Sequence, residues 1–284
     1  MPPELEVTTI TTPDGARLAV HCAGDGPPLL ALHGIPEDHR TFDRVLDCLT
    51  ARHRVVMPDL RGFGASTDRP LEPPLDLPRM AADLALVVRE LRLEAPVLLG
   101  HDLGGFVVMH YLQERLGPAR GVILFNTTYK KVYLARSPQM PLLGAPLLGP
   151  LLIRWLGPRL ASSAFRSGFV DPGAADPDQV ARCRRMCSRP EIQRTIADVY
   201  ASIRKTALAK FWTAQPTLQT SDLPALILWG QQDAFLDPRL ADWLVHLLPR
   251  ARLVRLEQAG HFPHQEVPYL VRPALEEFLA GLEG

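Results

Sequence analysis

The chain has 284 residues, 46% of them hydrophobic, and its 31 Lys and Arg balance 31 Asp and Glu. That length and apolar fraction suit one large domain, or one domain carrying a sizeable insertion. Neutrality without long basic runs gives no electrostatic signature of a nucleic-acid or anionic-membrane partner, and four Cys in so long a chain do not make a disulfide framework.

The start, MPPELEVTT, lacks a charged-then-apolar signal pattern, so the expected compartment is the cytoplasm. VTTIT, a PDG turn and ARLAVHCAG predict an opening hairpin. PPLLALHG (27–34) and RVVMPDL (54–60) are short apolar runs ending in Gly or polar residues, the pattern of buried parallel strands. Between them TFDRVLDCLTA spaces Phe42, Val45, Leu46 and Leu49 as a helix does, and AADLALVVRELR (81–92) predicts a second amphipathic helix. APVLLGHD and GVILFN (121–126) are two further strands, separated by the helix GFVVMHYLQERL.

Residues 128–215 break this rhythm with Pro- and Gly-punctuated helical stretches and no clear strand. Their most apolar piece, MPLLGAPLLGPLLIRWLG (140–157), approaches the length of a membrane span. Three Pro, several Gly and Arg154 interrupt it, so it reads as one face of a helical cap rather than as a membrane segment. Cys183 and Cys187 stand four apart on a helix but lack further ligands nearby, and ordinary packing is the expectation. The strand–helix rhythm then resumes with ALILWG (225–230), PRLADWLVHLL (238–248), ARLVRLE (251–257) and YLVRPALEEFLAGL. The expected fold is α/β, a mostly parallel central sheet flanked by helices. Residues 1–127 and 216–284 form the core domain, and the cap at 128–215 is inserted after the sixth core strand.

One strand end carries chemistry. In LLGHDLGG (98–105), Gly100 and Gly104 flank Asp102, the outline of a sharp strand-to-helix turn that presents a nucleophile. Taken alone, Asp102 reads equally well as a helix cap, because Asp is a favoured N-cap residue. Three other strand ends favour the nucleophile. In WGQQDAFLDP (229–238), Asp233 is free to act as an acid partner, while Asp237, before Pro238 and a helix, reads as a cap. QAGHFPHQEVP (258–268) offers His261 and His264; His261, directly after Gly260, is the better candidate, and the order nucleophile, acid, His is the one expected. LHGIPED (32–38) is a tight loop whose Ile35 N–H, with that of Leu103, can face a developing negative charge.

HGIP, DLRGFGAS (59–66), GHDLGG and GHFPHQEVP, in this order and spacing across essentially the whole chain, resemble the α/β-hydrolase superfamily. An Asp at the elbow resembles the epoxide hydrolases and haloalkane dehalogenases within it. The resemblance implies a triad of Asp102, His261 and Asp233. An ordinary Asp is ionised at neutral pH and attacks without a base. Against a saturated carbon bearing a leaving group it forms a stable alkyl ester, which water activated by His261 then cleaves. Dehalogenases resemble one another in placing a Trp after the nucleophile to hold halide; here Leu103 and Ile35, neither with a side-chain donor, occupy the matching positions, and Trp155 in the cap offers one indole. Epoxide hydrolases use cap tyrosines, and Tyr200, 33 residues before Asp233, fits the later of the two (233 − 200). Tyr129 and Tyr133 are the candidates for the earlier one. His33, Pro36, Trp155 and Phe262 are expected to line the substrate pocket.

The expected activity is hydrolysis of a small lipophilic epoxide by water, with haloalkane dehalogenation or a non-catalytic ligand-binding relative as alternatives. No metal or organic cofactor is implied, no nucleic acid or membrane partner is expected, and a homodimer is left open.

Overall fold

The computed structural model describes residues 3–66, 74–129, 142–143, 145–208, 216–219 and 221–283. Strands β1 (Glu6–Thr11) and β2 (Arg17–Ala23) form the antiparallel hairpin, with the Gly15 N–H donating to the Thr12 carbonyl in its turn. β2 pairs antiparallel with β4 (Arg54–Pro58). From there the sheet is parallel through β3 (Pro28–Leu32), β5 (Val97–His101), β6 (Gly121–Phe125), β7 (Ala225–Gly230) and β8 (Ala251–Leu256). The order across the eight strands is β1-β2-β4-β3-β5-β6-β7-β8.

The apolar runs fill both faces of this sheet, because successive side chains on a strand point to opposite sides. Leu29, Ala31, Val55, Met57, Val97, Leu99, Ile123 and Phe125 pack on one face against α1 (Asp43–Thr50) and α9 (Pro268–Gly281). Leu30, Leu32, Val56, Leu98, Val122 and Leu124 pack on the other against α2 (Leu77–Glu90), α3 (Leu103–Gln113) and α8 (Arg239–Leu247). Each such side chain, fully removed from water, contributes about 1.5–3 kcal/mol, which is why continuous Val, Ile and Leu runs specify central strands.

Between β6 and β7 lie α4 (Leu148–Ser167), α5 (Pro177–Met186), α6 (Pro190–Leu208) and the short α7 (Pro216–Gln219). Ile153, Ala161, Met186, Cys187, Ile192, Ile196 and Val199 from these helices join the same apolar cluster as α2 and α3. α4 is longer and more continuous than its sequence suggests, since Pro158 sits inside it. An interior Pro removes one hydrogen bond, at a cost of about 3 kcal/mol, and here it leaves the carbonyl of Arg154 without its helical donor. Arg154 is exposed, while Ile153 and Ala161 of the same helix are buried and hold it against the rest of the fold. Among the described residues no helix is long and apolar enough to cross a membrane.

Strand order decides where chemistry is placed. β3 lies between β4 and β5, so the chain runs outward from β3 in one direction and from β5 in the other. The crevice at the carboxyl ends of two such strands is where open α/β sheets bind ligands. The HGIP loop leaves β3 there, and Asp102 leaves β5.

Candidate active site

Asp102 connects β5 to α3 with φ 47° and ψ −115°, and its side chain makes no capping hydrogen bond to the helix it precedes. The capping alternative therefore has no bond to support it. A non-Gly residue at positive φ is uncommon and costs about 1–3 kcal/mol, so the surroundings must enforce it. They do: the Thr127 hydroxyl donates to the Asp102 carbonyl at 2.6 Å, and the Asp102 N–H donates to the Phe125 carbonyl at 3.3 Å. Gly104 lets α3 lie directly on the end of β3, where any Cβ would collide with the backbone of Leu32 and His33. The outcome is a carboxylate aimed away from its own helix.

That carboxylate meets the groups expected from the other strand ends. Its Oδ2 accepts the Ile35 N–H at 3.1 Å, and its Oδ1 lies 3.8 Å from His261 Nε2. Leu103 is the first residue of α3, and a first-turn N–H has no carbonyl partner within its own helix. On the far side of the imidazole, His261 Nδ1 lies 2.8 Å from Asp233 Oδ2. Asp233 is held in turn by the N–H groups of Phe235 and Leu236 on Oδ1, and by Asn126 Nδ2 at 2.7 Å on Oδ2. The competitor Asp237 accepts the Arg239 N–H at the start of α8, a capping contact, although the helix begins at Arg239 rather than Pro238.

These bonds set the charge states. Burial alone would lower the His261 pKa. The adjacent Asp233 carboxylate overcomes it, with smaller contributions from Asp102 and Glu37, and lifts His261 to about 9. Burial opposes the charge on Asp233, yet His261 and Asn126 keep its carboxyl below the usual range. Burial, and then the negative charge of Asp102, push the Tyr200 phenol well up, so it remains an O–H donor.

A cavity of about 200 Å³ opens over Asp102. Ile35, Pro36, Phe235, Leu236, His261 and Phe262 line it from the sheet side, and Leu143, Ser163, Phe165, Ser167 and Tyr200 from the insertion. No Lys, Arg or Trp lines it among the described residues.

Three expected site residues lie elsewhere. Tyr129 is fully buried beside Phe106, with its hydroxyl 3.3 Å from His110 Nδ1, because the chain leaving β6 turns under α3 before reaching the cavity. Trp155 is 74% exposed on the outer face of α4. His33 is a scaffold residue: Nδ1 lies 2.7 Å from the Gly34 carbonyl, and Nε2 accepts the Leu60 N–H at 2.9 Å. Tyr133 lies outside the described residues.

Other groups near the site escaped the sequence reading. Glu37, just past the HGIP loop, is fully enclosed. Burial opposes its charge, but His101 next to it holds its carboxyl down at about 2. His101 Nδ1 lies 2.9 Å from Glu37 Oε2 and Nε2 lies 3.0 Å from the His261 carbonyl. This pair fixes the backbone of His261 from beneath. Asn126, at the end of β6, also ties the Gly230 N–H to Asp233. The only signal for these residues was a polar side chain at the end of a buried strand.

Among the described residues one cluster has metal-ligand composition: His21, His39 and Asp59, all buried. The two imidazoles are stacked with centroids 3.4 Å apart and planes 17° apart. Imidazole binds metals through an in-plane lone pair, and two near-parallel rings so close cannot both aim in plane at one ion. Asp59 instead accepts the His39 N–H at 2.9 Å and the Ala65 N–H at 2.8 Å, bracing the loop after β4.

Comparison with known proteins is consistent with this geometry. A family model described as "alpha/beta hydrolase fold" matches residues 27–268. The chain is 24% identical over 280 residues to the AB hydrolase superfamily protein YfhM of Bacillus subtilis, covering 94% of this chain and 95% of that one. It is 28% identical over 282 residues to haloalkane dehalogenase 2 of Mycobacterium bovis, covering 93% and 92%. Among solved structures, a "putative epoxide hydrolase" from Pseudomonas aeruginosa superposes with a TM-score of 0.86 at 22% identity, covering 99% of this chain and 97% of that one.

Proposed function

The chain belongs to the α/β-hydrolase family, and from that premise we propose that it hydrolyses lipophilic epoxides to vicinal diols through an ester on Asp102. The observation that carries the reading is an uncapped carboxylate and a protonated phenol sharing one mostly apolar cavity that no Trp, Lys or Arg lines among the described residues. Asp102 attacks an epoxide carbon and the ring C–O bond breaks, while the Tyr200 O–H protonates the departing oxygen. His261 Nε2 then takes a proton from water, which adds to the Asp102 carboxyl carbon. The tetrahedral oxyanion faces the N–H groups of Ile35 and Leu103. Collapse frees the diol and restores the carboxylate, and the proton on His261 replaces the one Tyr200 gave up. We read residues 128–215 as a cap that excludes bulk water, and no cofactor enters the cycle.

The dehalogenase relative makes an alkyl halide the natural competitor. Its leaving group calls for indole or amide side-chain N–H donors, and no Trp, Asn or Gln lines the cavity among the described residues, whereas an epoxide oxygen calls for one acidic O–H. Incubation with styrene oxide and, separately, with 1-bromobutane is expected to yield phenylethanediol and no bromide. Bromide release without diol rejects the reading. Tyr200→Phe is expected to slow alkylation about 10²-fold while leaving ester breakdown nearly unchanged, because the phenol acts only on the leaving oxygen. Equal slowing of both steps in single-turnover kinetics would mean that Tyr200 shapes the cavity rather than acting as the acid.

The two steps also differ in pH dependence. His261 sits at about 9 while Asp102 is charged. Alkylation neutralises Asp102 and removes one of the charges that hold the His261 proton, so the pKa falls in the ester. Ester breakdown needs the neutral imidazole and is expected to rise with pH to a plateau whose midpoint lies below about 9. A midpoint at or above that value, measured by stopped-flow decay of the intermediate, contradicts the assigned coupling.

A further inference from the structure

The overall neutrality of the chain conceals a local asymmetry. From Thr127 to Val170 the sequence contains no Asp or Glu and six cations: Lys130, Lys131, Arg136, Arg154, Arg159 and Arg166. The described part of this stretch also carries most of the exposed apolar bulk. Leu147, Leu148, Leu151 and Trp155 are 83%, 52%, 54% and 74% exposed, and Leu142 and Leu156 are exposed as well. Val7, Leu116, Val170, Tyr269 and Leu270 complete the exposed large hydrophobics among the described residues, so more than half fall within 142–156. Scattered apolar residues need no explanation, but a contiguous set does.

The set is contiguous because of helical spacing. Leu147, Leu151 and Trp155 follow one another at intervals of four from the N-terminal end of α4 onward, with Leu148 beside them, and residues so spaced share a helix face. Arg154 and Arg159, both exposed, flank Trp155, and none of Arg154, Arg159 and Arg166 is in an ion pair among the described residues. α4 also buries Ile153, Ala161 and Phe165, and its Ser163, Ala164, Phe165 and Ser167 line the cavity over Asp102. One helix thus forms a wall of the cavity while offering leucines, a tryptophan and flanking arginines to the outside.

We propose that the outward face of α4 docks on an anionic lipid surface. Leu and Trp on one face with Arg at its margins is the composition of helices that lie in the plane of a bilayer interface. Each cation near such a surface adds about 1 kcal/mol of attraction. Arg side chains keep their charge in the headgroup layer while their stems cover apolar surface. No described helix can span a membrane, so the helix lies on the surface and does not cross it. A second copy of the chain is a poorer occupant. A two-fold dimer presses the same patch against itself, which would bring Arg154 and Arg159 of both copies into one interface, with no acid between residues 127 and 170 to pair with them. Docking in this orientation places the cavity wall next to a phase in which lipophilic molecules concentrate.

The test is co-sedimentation of the purified chain with vesicles of phosphatidylcholine alone and with about 30% phosphatidylglycerol. Binding to the anionic vesicles is expected to be at least about tenfold tighter, to weaken with salt, and to shift the Trp155 fluorescence to the blue. Trp155→Phe should keep binding and lose that shift. The doubly substituted L151D/W155D chain should lose binding, and R154Q/R159Q should lose the preference for anionic lipid, each with unchanged thermal unfolding because the sites are exposed. The proposal is overturned by the absence of binding to either vesicle, or by L151D/W155D binding as well as the parent. It is overturned equally by sedimentation equilibrium showing a dimer that L151D/W155D separates while vesicles remain unbound. None of these readouts depends on which substrate the site accepts.

Discussion

Replacing His261 with Gln is expected to give a protein that reacts once and stops. Alkylation uses only the Asp102 carboxylate and the Tyr200 hydroxyl, so the first step survives the loss of the imidazole. Breakdown of the ester needs a base at the position of Nε2, 3.8 Å from Asp102 Oδ1, which Gln cannot supply. Steady turnover should fall by about 10³-fold or more, the scale on which removing a general base acts in a site where it works as part of a unit. The peptide spanning β5 and α3 should gain the mass of one styrene oxide, on Asp102. Gln still donates and accepts hydrogen bonds in the space between Asp233 and Asp102, so the change isolates the base function from packing. An unmodified peptide together with lost turnover would mean that His261 serves the first step and that Asp102 is not attacking alone.

The parts of this site that were legible in the sequence are those where polar residues stand at the ends of apolar runs. Asp102, Asp233 and His261 each follow a strand by only a few residues, and parallel strands bring their carboxyl ends to one edge, so chain order alone nearly places them. The strands were legible because Val, Ile and Leu runs satisfy both faces of a covered sheet. What depends on distant pairing was not. Glu37 and His101 look unremarkable until the fold places them 2.9 Å apart beneath His261. Asn126 gains its meaning only from Asp233 on the neighbouring strand's loop. Tyr129 and Trp155 fail for different reasons: the segment after β6 buries the first against α3, and helical phase turns the second outward. Helical phase was unreadable in 140–157 because Pro and Gly mask the period, and only packing against the α2 and α3 face decides that residues 148–167 form one helix. His33 illustrates a further limit. The motif it belongs to lies at the site, yet both its ring nitrogens are engaged by backbone.

The decisive chemical test concerns Asp102 itself. Asp102→Ala is expected to abolish turnover by about 10⁴-fold or more and to prevent any adduct, including in the His261→Gln background. A carboxylate could instead act at a distance, as a base that activates water to attack the epoxide directly. Loss of activity alone does not separate these roles, but the source of the diol oxygen does. In the ester route the oxygen bonded to substrate carbon comes from Asp102, and the water oxygen enters the carboxylate. A single turnover of the parent chain in ¹⁸O-water, with enzyme in excess, should give diol without the label and leave ¹⁸O on Asp102. Direct water attack gives labelled diol in the first turnover. The geometry favours the ester because Asp102 Oδ2 already occupies the Ile35 N–H at 3.1 Å, and its carboxyl carbon is thereby set beside the donors that an oxyanion formed on that carbon needs. A base attacking through water makes no use of those donors. Labelled diol from the first turnover would leave Ile35 and Leu103 without a function in the cycle, and would move Asp102 from nucleophile to base.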